Sequence, residues 1–206
     1  MSWYERVIFN RVLEAALDQP HVHAERRAAL ASAAGDVLDI GIGTGLNFPN
    51  YPPAVRRLTA LTVDPELDAV AARRASDHGL TLDHVCGDAT RLSFDRGRFD
   101  VVVSTFVLCT IPDPAAAVRE FARVLRPGGR LLFLEHVIAP PGPRRFAQRV
   151  INPVVKVVNC GCSLLCDTKS LIRAHGFELA EIHEHDVEPM PWPVRRVIRG
   201  VAEPSS

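Results

Sequence analysis

The segment Asp39-Ile40-Gly41-Ile42-Gly43-Thr44-Gly45 constrains this chain more than any other. It grows out of Asp36-Val37-Leu38-Asp39-Ile40, an apolar run that reads as a short buried strand. Glycine is needed where backbone turns tightly or lets a ligand come close. A strand that feeds such a loop is where an open α/β sheet binds its ligand. A plain strand-to-helix turn has little use for glycine at three alternate positions. The dinucleotide fingerprint G-x-G-x-x-G, counted from Gly41, would need its last glycine at Leu46 and so fails. The lysine of a P-loop is also missing.

Beyond the loop, strands and helices alternate. Leu58 to Val63 reads as a strand, and Pro65 to His78 as a helix with proline in its first turn and Gly79 just past its end. Leu82 to Val85 and Phe99 to Ser104 read as strands, and Pro114 to Leu125 as a helix stopped by Arg126-Pro127-Gly128-Gly129. Arg130 to Val137 is another buried strand. This alternation implies βαβ units, a parallel sheet and helices on both faces. Before the loop, residues 3–18 and 22–33 have helical spacing, a helical cap over 1–34. After Pro140, Pro141 and Pro143, residues 144–158 have a helical pattern, with Pro153 arguing against one continuous helix. Phe177–Asp186 and Val194–Glu203 read as two final strands. A single α/β domain over residues 1–206 is expected.

Composition narrows the partners. Twenty-four basic and 24 acidic residues give no excess charge to hold a polyanion, so nucleic acid is not expected. No apolar run reaches the ~18 residues of a membrane span. The start lacks the apolar core of a signal peptide, and the five cysteines are an odd count. The expectation is a reduced, cytoplasmic setting.

Acidic-x-Gly-x-Gly-x-Gly resembles the motif of class I methyltransferases that use S-adenosyl-L-methionine (SAM). That resemblance implies SAM as cofactor and a Rossmann-like domain, mostly parallel, of seven strands with an antiparallel last strand. It assigns Asp39, Gly41, Gly43, Gly45 and Asn47 to the loop around the cofactor. Asp64, followed by Pro65, ends the second strand about twenty residues on, where an acidic side chain accepts bonds from ribose hydroxyls. Asp88-Ala89 resembles the family's adenine contact, and Thr105, just past the fourth strand, is assigned to the cofactor as well. Two longer segments, Phe99 to Cys109 and Glu120 to Val137, resemble the methyltransferase-like 7 group, which sits beside the quinone-biosynthesis C-methyltransferases. Asn47-Phe48 and Tyr51-Pro52-Pro53 resemble it as well. The likeness runs over roughly residues 3 to 190, and the group's members methylate alkyl thiols. Residues 140–170 are then the acceptor-side insertion. The apolar N-terminal anchor of the animal members is not seen here. Cys166 stands where that group has a basic residue and Cys160 where it has an acidic one.

The resemblance implies methyl transfer to a small, fairly apolar acceptor. A thiol is the leading acceptor, since its pKa of about 8.5 lets a modest base ionise it. Oxygen or carbon of a phenol, quinone or lipid is the alternative, and a SAM-binding protein without catalysis is the alternative of a different class. His136, at the end of the fifth strand beside Glu135, is the candidate base, although it could equally bond a loop carbonyl. Tyr4, Phe106, Cys109 and Cys162 are placed on the acceptor side. Cys109 is expected to act as a small hydrophobe. Cys160-x-Cys162-x-x-x-Cys166 offers three thiols with His175 far off, so no metal site is expected. Residues 144–158 combine Arg144, Arg145, Arg149 and Lys156 with apolar side chains such as Phe146, Val150, Ile151, Val154 and Val155, and read as an interfacial helix, a lid or a partner face. A membrane contact is therefore allowed but not favoured. Oligomeric state has no signature in the sequence.

Overall fold

The computed structural model describes residues 14, 17–65, 68–158 and 161–205. The helix expected over 3–18 lies almost wholly outside them, and with it Tyr4. The described chain runs α1 (Pro20–Leu30), β1 (Gly35–Ile40), β2 (Val55–Thr62), α2 (Ala69–Asp77), β3 (Leu82–Cys86) and β4 (Phe99–Thr105). It continues through α3 (Pro114–Val124), β5 (Leu125–His136), α4 (Pro143–Val158), α5 (Thr168–Ala174), β6 (Phe177–Asp186) and β7 (Arg196–Pro204). A short 3-10 turn, Phe48–Asn50, follows the glycine loop.

The seven strands lie in the order β3-β2-β1-β4-β5-β7-β6. β1 to β5 pair in parallel, and β7 runs antiparallel to both β5 and β6. β1 is the pivot: Ile40 pairs with Leu61 of β2 on one side and Ser104 of β4 on the other. Connections leave it in opposite directions, which opens a crevice at its carboxyl end, directly at Gly41.

Both faces of the sheet are covered at its centre, so the inner parts of β1, β4 and β5 are largely apolar and buried. On β4, Val101 and Val103 pack with Leu30 of α1 and Ala71 and Ala75 of α2. Val102 between them packs on the other face with Val118 and Phe121 of α3 and Ile172 of α5. Burying Phe121 or Phe133 fully is worth roughly 2–3 kcal/mol each.

Several boundaries differ from the sequence reading. α2 begins at Ala69, because Asp68 caps it by accepting from the Val70 N–H, so Pro65 precedes the helix instead of opening it. β5 reaches back to Leu125, and Arg126 to Gly129 bulge between the pairs Phe99–Leu125 and Val101–Arg130. α5 has no counterpart in the sequence reading; Asp167 caps it by accepting from the Ser170 N–H, a local bond that needs no long apolar pattern. α4 is continuous through Pro153. The carbonyl that proline cannot bond belongs to Arg149, and both residues are exposed, on the side of the helix open to solvent. Inward, α4 presents Gln148, which bonds the backbone at Val137, Ala139 and Pro193. Outward, it leaves Phe146, Val150, Val154 and Val157 between 60% and 84% exposed, an apolar stripe at helical spacing.

Candidate functional site

The three loop glycines all have positive φ: Gly41 at 63°, Gly43 at 53° and Gly45 at 82°. Two of them have different reasons. A Cβ on Gly45 would come within 2.6 Å of the Phe48 ring, so this glycine lets the 3-10 turn close against the loop. A Cβ on Gly43 would meet nothing within 4 Å. Its bare backbone faces open space, the cradle a cofactor would fill.

That space is a cavity of about 100 Å³ between Gly41, Gly43, Thr44, Thr105, Phe106 and Arg26. A larger hollow of about 450 Å³ lies at the other end of the strands, between Gly35 and Gly129. It sits away from the carboxyl ends where open sheets bind ligands.

Beneath the loop lies a buried polar network. Asn47 donates through Nδ2 to both oxygens of Asp39, at 3.1 and 3.0 Å, and its Oδ1 accepts from Arg26 Nη1 at 2.7 Å. Arg26 also donates to Thr105 Oγ1 at 3.0 Å. Asp39 is fully buried, which pushes its carboxyl up to about 6 against the pull of Asn47, Tyr51 and Arg26. Burial likewise lowers the Arg26 guanidinium to about 10. Its Nε is buried without a partner, and the guanidinium carbon stands 5.3 Å from the centre of the Phe106 ring. Asp39 and Asn47 thus brace the loop from below, and Arg26 and Thr105 are the network's members that border the cavity.

Asp64 and Asp88 lie at the same edge of the sheet. Thr62 pairs with Cys86 at the ends of β2 and β3, and each aspartate stands two residues further on. Asp64 is half-buried and Asp88 exposed; Asp88 accepts from the Thr90 N–H at 2.8 Å, which lowers its carboxyl below the usual range. Ala89 is buried behind it. Pro65 is exposed next to Asp64.

The acceptor-side residues meet where β4 and β5 end. Glu135 Oε1 accepts from Ser104 Oγ at 2.8 Å and from the N–H groups of Val107 and Leu108 at 3.1 Å each. This clamp holds the turn after β4, where Phe106 adopts a φ of 58°, a left-handed conformation that a bulky residue takes only under constraint. Burial pushes the Glu135 carboxyl up, and its Oε2 has no partner. The Phe106 and His136 ring centres are 4.6 Å apart. His136 Nδ1 is buried and bonds no loop carbonyl.

Cys109 and Cys162 face each other with sulfurs 3.3 Å apart. Either sulfur can donate in this contact; the bond to Cys109 and the His136 imidazole hold Cys162 below the usual thiol range, while the bond to Cys162 and burial raise Cys109. Cys166 stands apart, bonded to Thr168 Oγ1, with its thiol pushed up to about 11 by burial. His175 is turned to the Leu171 carbonyl. The grouping of Cys162 with Cys166 and His175 that spacing suggested is therefore not assembled among the described residues, and Cys160 lies outside them.

Known proteins agree with this architecture. Residues 38–133 match the methyltransferase domain family. The human thiol S-methyltransferase TMT1B is 38% identical over 182 residues, covering 84% of this chain and 73% of its own. The chain belongs to the SAM-dependent methyltransferases. The demethylmenaquinone methyltransferase of Mycolicibacterium gilvum is 37% identical over 61% of this chain and 53% of its own. In three dimensions the enzyme is similar to N-methyltransferase NodS of Bradyrhizobium japonicum, solved with S-adenosyl-L-homocysteine, at a TM-score of 0.66 and 19% identity. That likeness covers 92% of this chain and 90% of NodS.

SAM is the methyltransferase's cofactor, and the open cradle at Gly43 and the unpartnered Arg26 Nε fit such a ligand. Two functional features escape the sequence. Arg26 lies mid-helix in an Ala/Arg-rich stretch with nothing local to single it out. Glu135 reads only as a neighbour of His136, although it holds the turn that carries Phe106.

Proposed function

We propose that this methyltransferase S-methylates a small, apolar thiol. The 38% identity to a thiol S-methyltransferase over most of the chain carries the reading. The acceptor-side chemistry supports it: aromatic Phe106, stacked on His136, forms a weakly polar approach. SAM supplies a methyl group made electrophilic by its sulfonium. Gly41, Gly43 and Gly45 let backbone run close under its methionine part, and Arg26 Nε is placed to donate to its carboxylate. Asp39 and Asn47 act one layer down, by fixing Arg26 and the loop. Asp64, with Pro65 beside it, takes the ribose hydroxyls, Asp88 and Ala89 the adenine, and Thr105 closes the inner wall. His136 stands against Phe106 on the acceptor side as a base or acceptor-orienting group. Alignment of thiolate and methyl then does most of the work, since the displacement is in-line.

Relatives that methylate demethylmenaquinone favour a second reading, C-methylation of a quinol. Purified enzyme with SAM is offered alkyl thiols, phenols and a menaquinol analogue, and S-adenosylhomocysteine release is measured. Turnover of thiols above the other two is expected. Turnover of quinol or phenol with thiols untouched refutes the thiol reading.

We also read residues 140–170 as the acceptor-side part of a single domain. Among the described residues no helix is long and apolar enough to cross a membrane.

A further inference from the structure

We propose that Cys109, His136 and Cys162 bind a zinc-class divalent cation whose fourth position takes the sulfur of the thiol acceptor. The fourth ligand rests on the thiol reading above; the metal site does not. It departs from the sequence expectation of no metal, because the trio is assembled only by the fold.

One ligand atom from each of the three residues lies within 4.8 Å of the others. Tetrahedral zinc with sulfur bonds of ~2.3 Å holds two thiolates roughly 3.8 Å apart. Cys109 and Cys162 stand 3.3 Å apart, so a parting of about half an ångström admits the ion. His136 brings an imidazole nitrogen within 4.8 Å of both sulfurs, and its Nδ1 is buried with no hydrogen bond to a protein atom.

The frame around the trio is already built. The Ser163 N–H donates to the Cys109 carbonyl at 2.8 Å, and the Leu164 N–H to Asn152 Oδ1 at 2.8 Å. These bonds hold the Cys162 segment against the turn after β4, as outer-layer partners do in metal sites. Two thiolates and an imidazole suit zinc; magnesium, calcium and manganese want oxygen donors. Two thiolates also cancel the ion's charge, which lowers the cost of burying it.

Three protein ligands leave a zinc site open at one position, the arrangement of catalytic zinc and not of structural zinc. Cys109 and Cys162 are buried and His136 is half-buried, so the His136 ring is the part of the trio nearest solvent. Phe106 stacks there and also lines the cavity over the glycine loop. A thiol on the metal thus sits one aromatic ring from the cofactor cavity.

A coordinating thiol is deprotonated outright. On binding, the acceptor R–SH releases its proton to solvent, with His136 acting as ligand in place of base. Its sulfur keeps the electron pair and forms the new S–C bond. The carbon–sulfur bond of the sulfonium breaks, and its pair stays on the donor sulfur. The product is a neutral thioether, a poor zinc ligand, and it leaves.

The test uses the reduced full chain, stripped with a chelator and titrated with cobalt(II) as a spectroscopic substitute for zinc. One equivalent binding with sulfur-to-metal charge-transfer absorption is expected. That band should vanish in Cys109→Ser and in Cys162→Ser, change in His136→Ala, and persist in Cys86→Ser, whose thiol is exposed at the end of β3. Circular dichroism confirms that each variant is folded. Adding an alkyl thiol to the wild-type cobalt form should strengthen the band. No stoichiometric binding, or binding unchanged in Cys109→Ser and Cys162→Ser, overturns the site. An unchanged band on adding thiol overturns the fourth ligand. Thiol methylation by enzyme shown to be metal-free sinks the inference and leaves the proposed function standing.

Discussion

Asp39→Asn should make this enzyme more stable, by an amount that depends on pH. Burial raises the Asp39 carboxyl from 3.8 to about 6 in the folded protein. A gap of about two pH units corresponds to about 3 kcal/mol. Because the folded value is the higher one, the folded protein holds the proton more tightly. Its stability from this group is full below about pH 4, falls as pH rises to about 6, and stays low above that. Asparagine mimics the protonated side chain at every pH. Its oxygen accepts from Asn47 Nδ2, and its amide can donate to the Tyr51 hydroxyl, which faces Asp39 in the wild type. Urea unfolding at about pH 8 should therefore show the variant more stable by up to about 3 kcal/mol, and at about pH 4.5 the advantage should shrink by about 2 kcal/mol. SAM affinity should fall at the same time, because Arg26 loses the charge that faces it across Asn47. A variant less stable than wild type at about pH 8, or a difference that ignores pH, would refute the burial argument.

Gly43→Val should keep the fold at a cost of about 1–2 kcal/mol for its positive φ, yet weaken SAM at least about tenfold in isothermal titration, since its side chain fills the cradle. Gly45→Ala should instead lower the melting temperature, since its methyl meets the Phe48 ring. Glu135→Gln should leave stability nearly unchanged, as the amide oxygen still accepts from the turn after β4, whereas Glu135→Ala should cost about 3 kcal/mol in urea unfolding by freeing three buried donors. His136→Ala should lower kcat for thiols about a hundredfold with SAM affinity unchanged, and equal loss of both would point to a structural role.

The loop was legible because its demands are local. Positive φ at Gly41, Gly43 and Gly45 is a short-range steric requirement that glycine alone meets cheaply, so the residues announce the turn. The same holds for the central strands: β1, β4 and β5 are apolar on both faces over their inner residues and can only be interior, and their alternation with helices leaves a parallel sheet as the solution. Asp64 and Asp88 could be placed because each follows its strand directly. α5 and the continuity of α4 were not legible. One depends on a single cap, the other on which side of a helix Pro153 happens to fall.

What the residue order determined by itself is therefore the cofactor end: a glycine loop, the strand that feeds it and the acids that flank it. Only the tertiary structure decided the acceptor end. Arg26 comes from α1, Phe106 and Cys109 from the turn after β4, His136 from the end of β5 and Cys162 from the segment between α4 and α5. No spacing along the chain links them, since long crossovers separate them in sequence. They meet because parallel pairing brings the carboxyl ends of β4 and β5 side by side, and buried hydrogen bonds from Glu135, Ser163 and Leu164 pin the loops there.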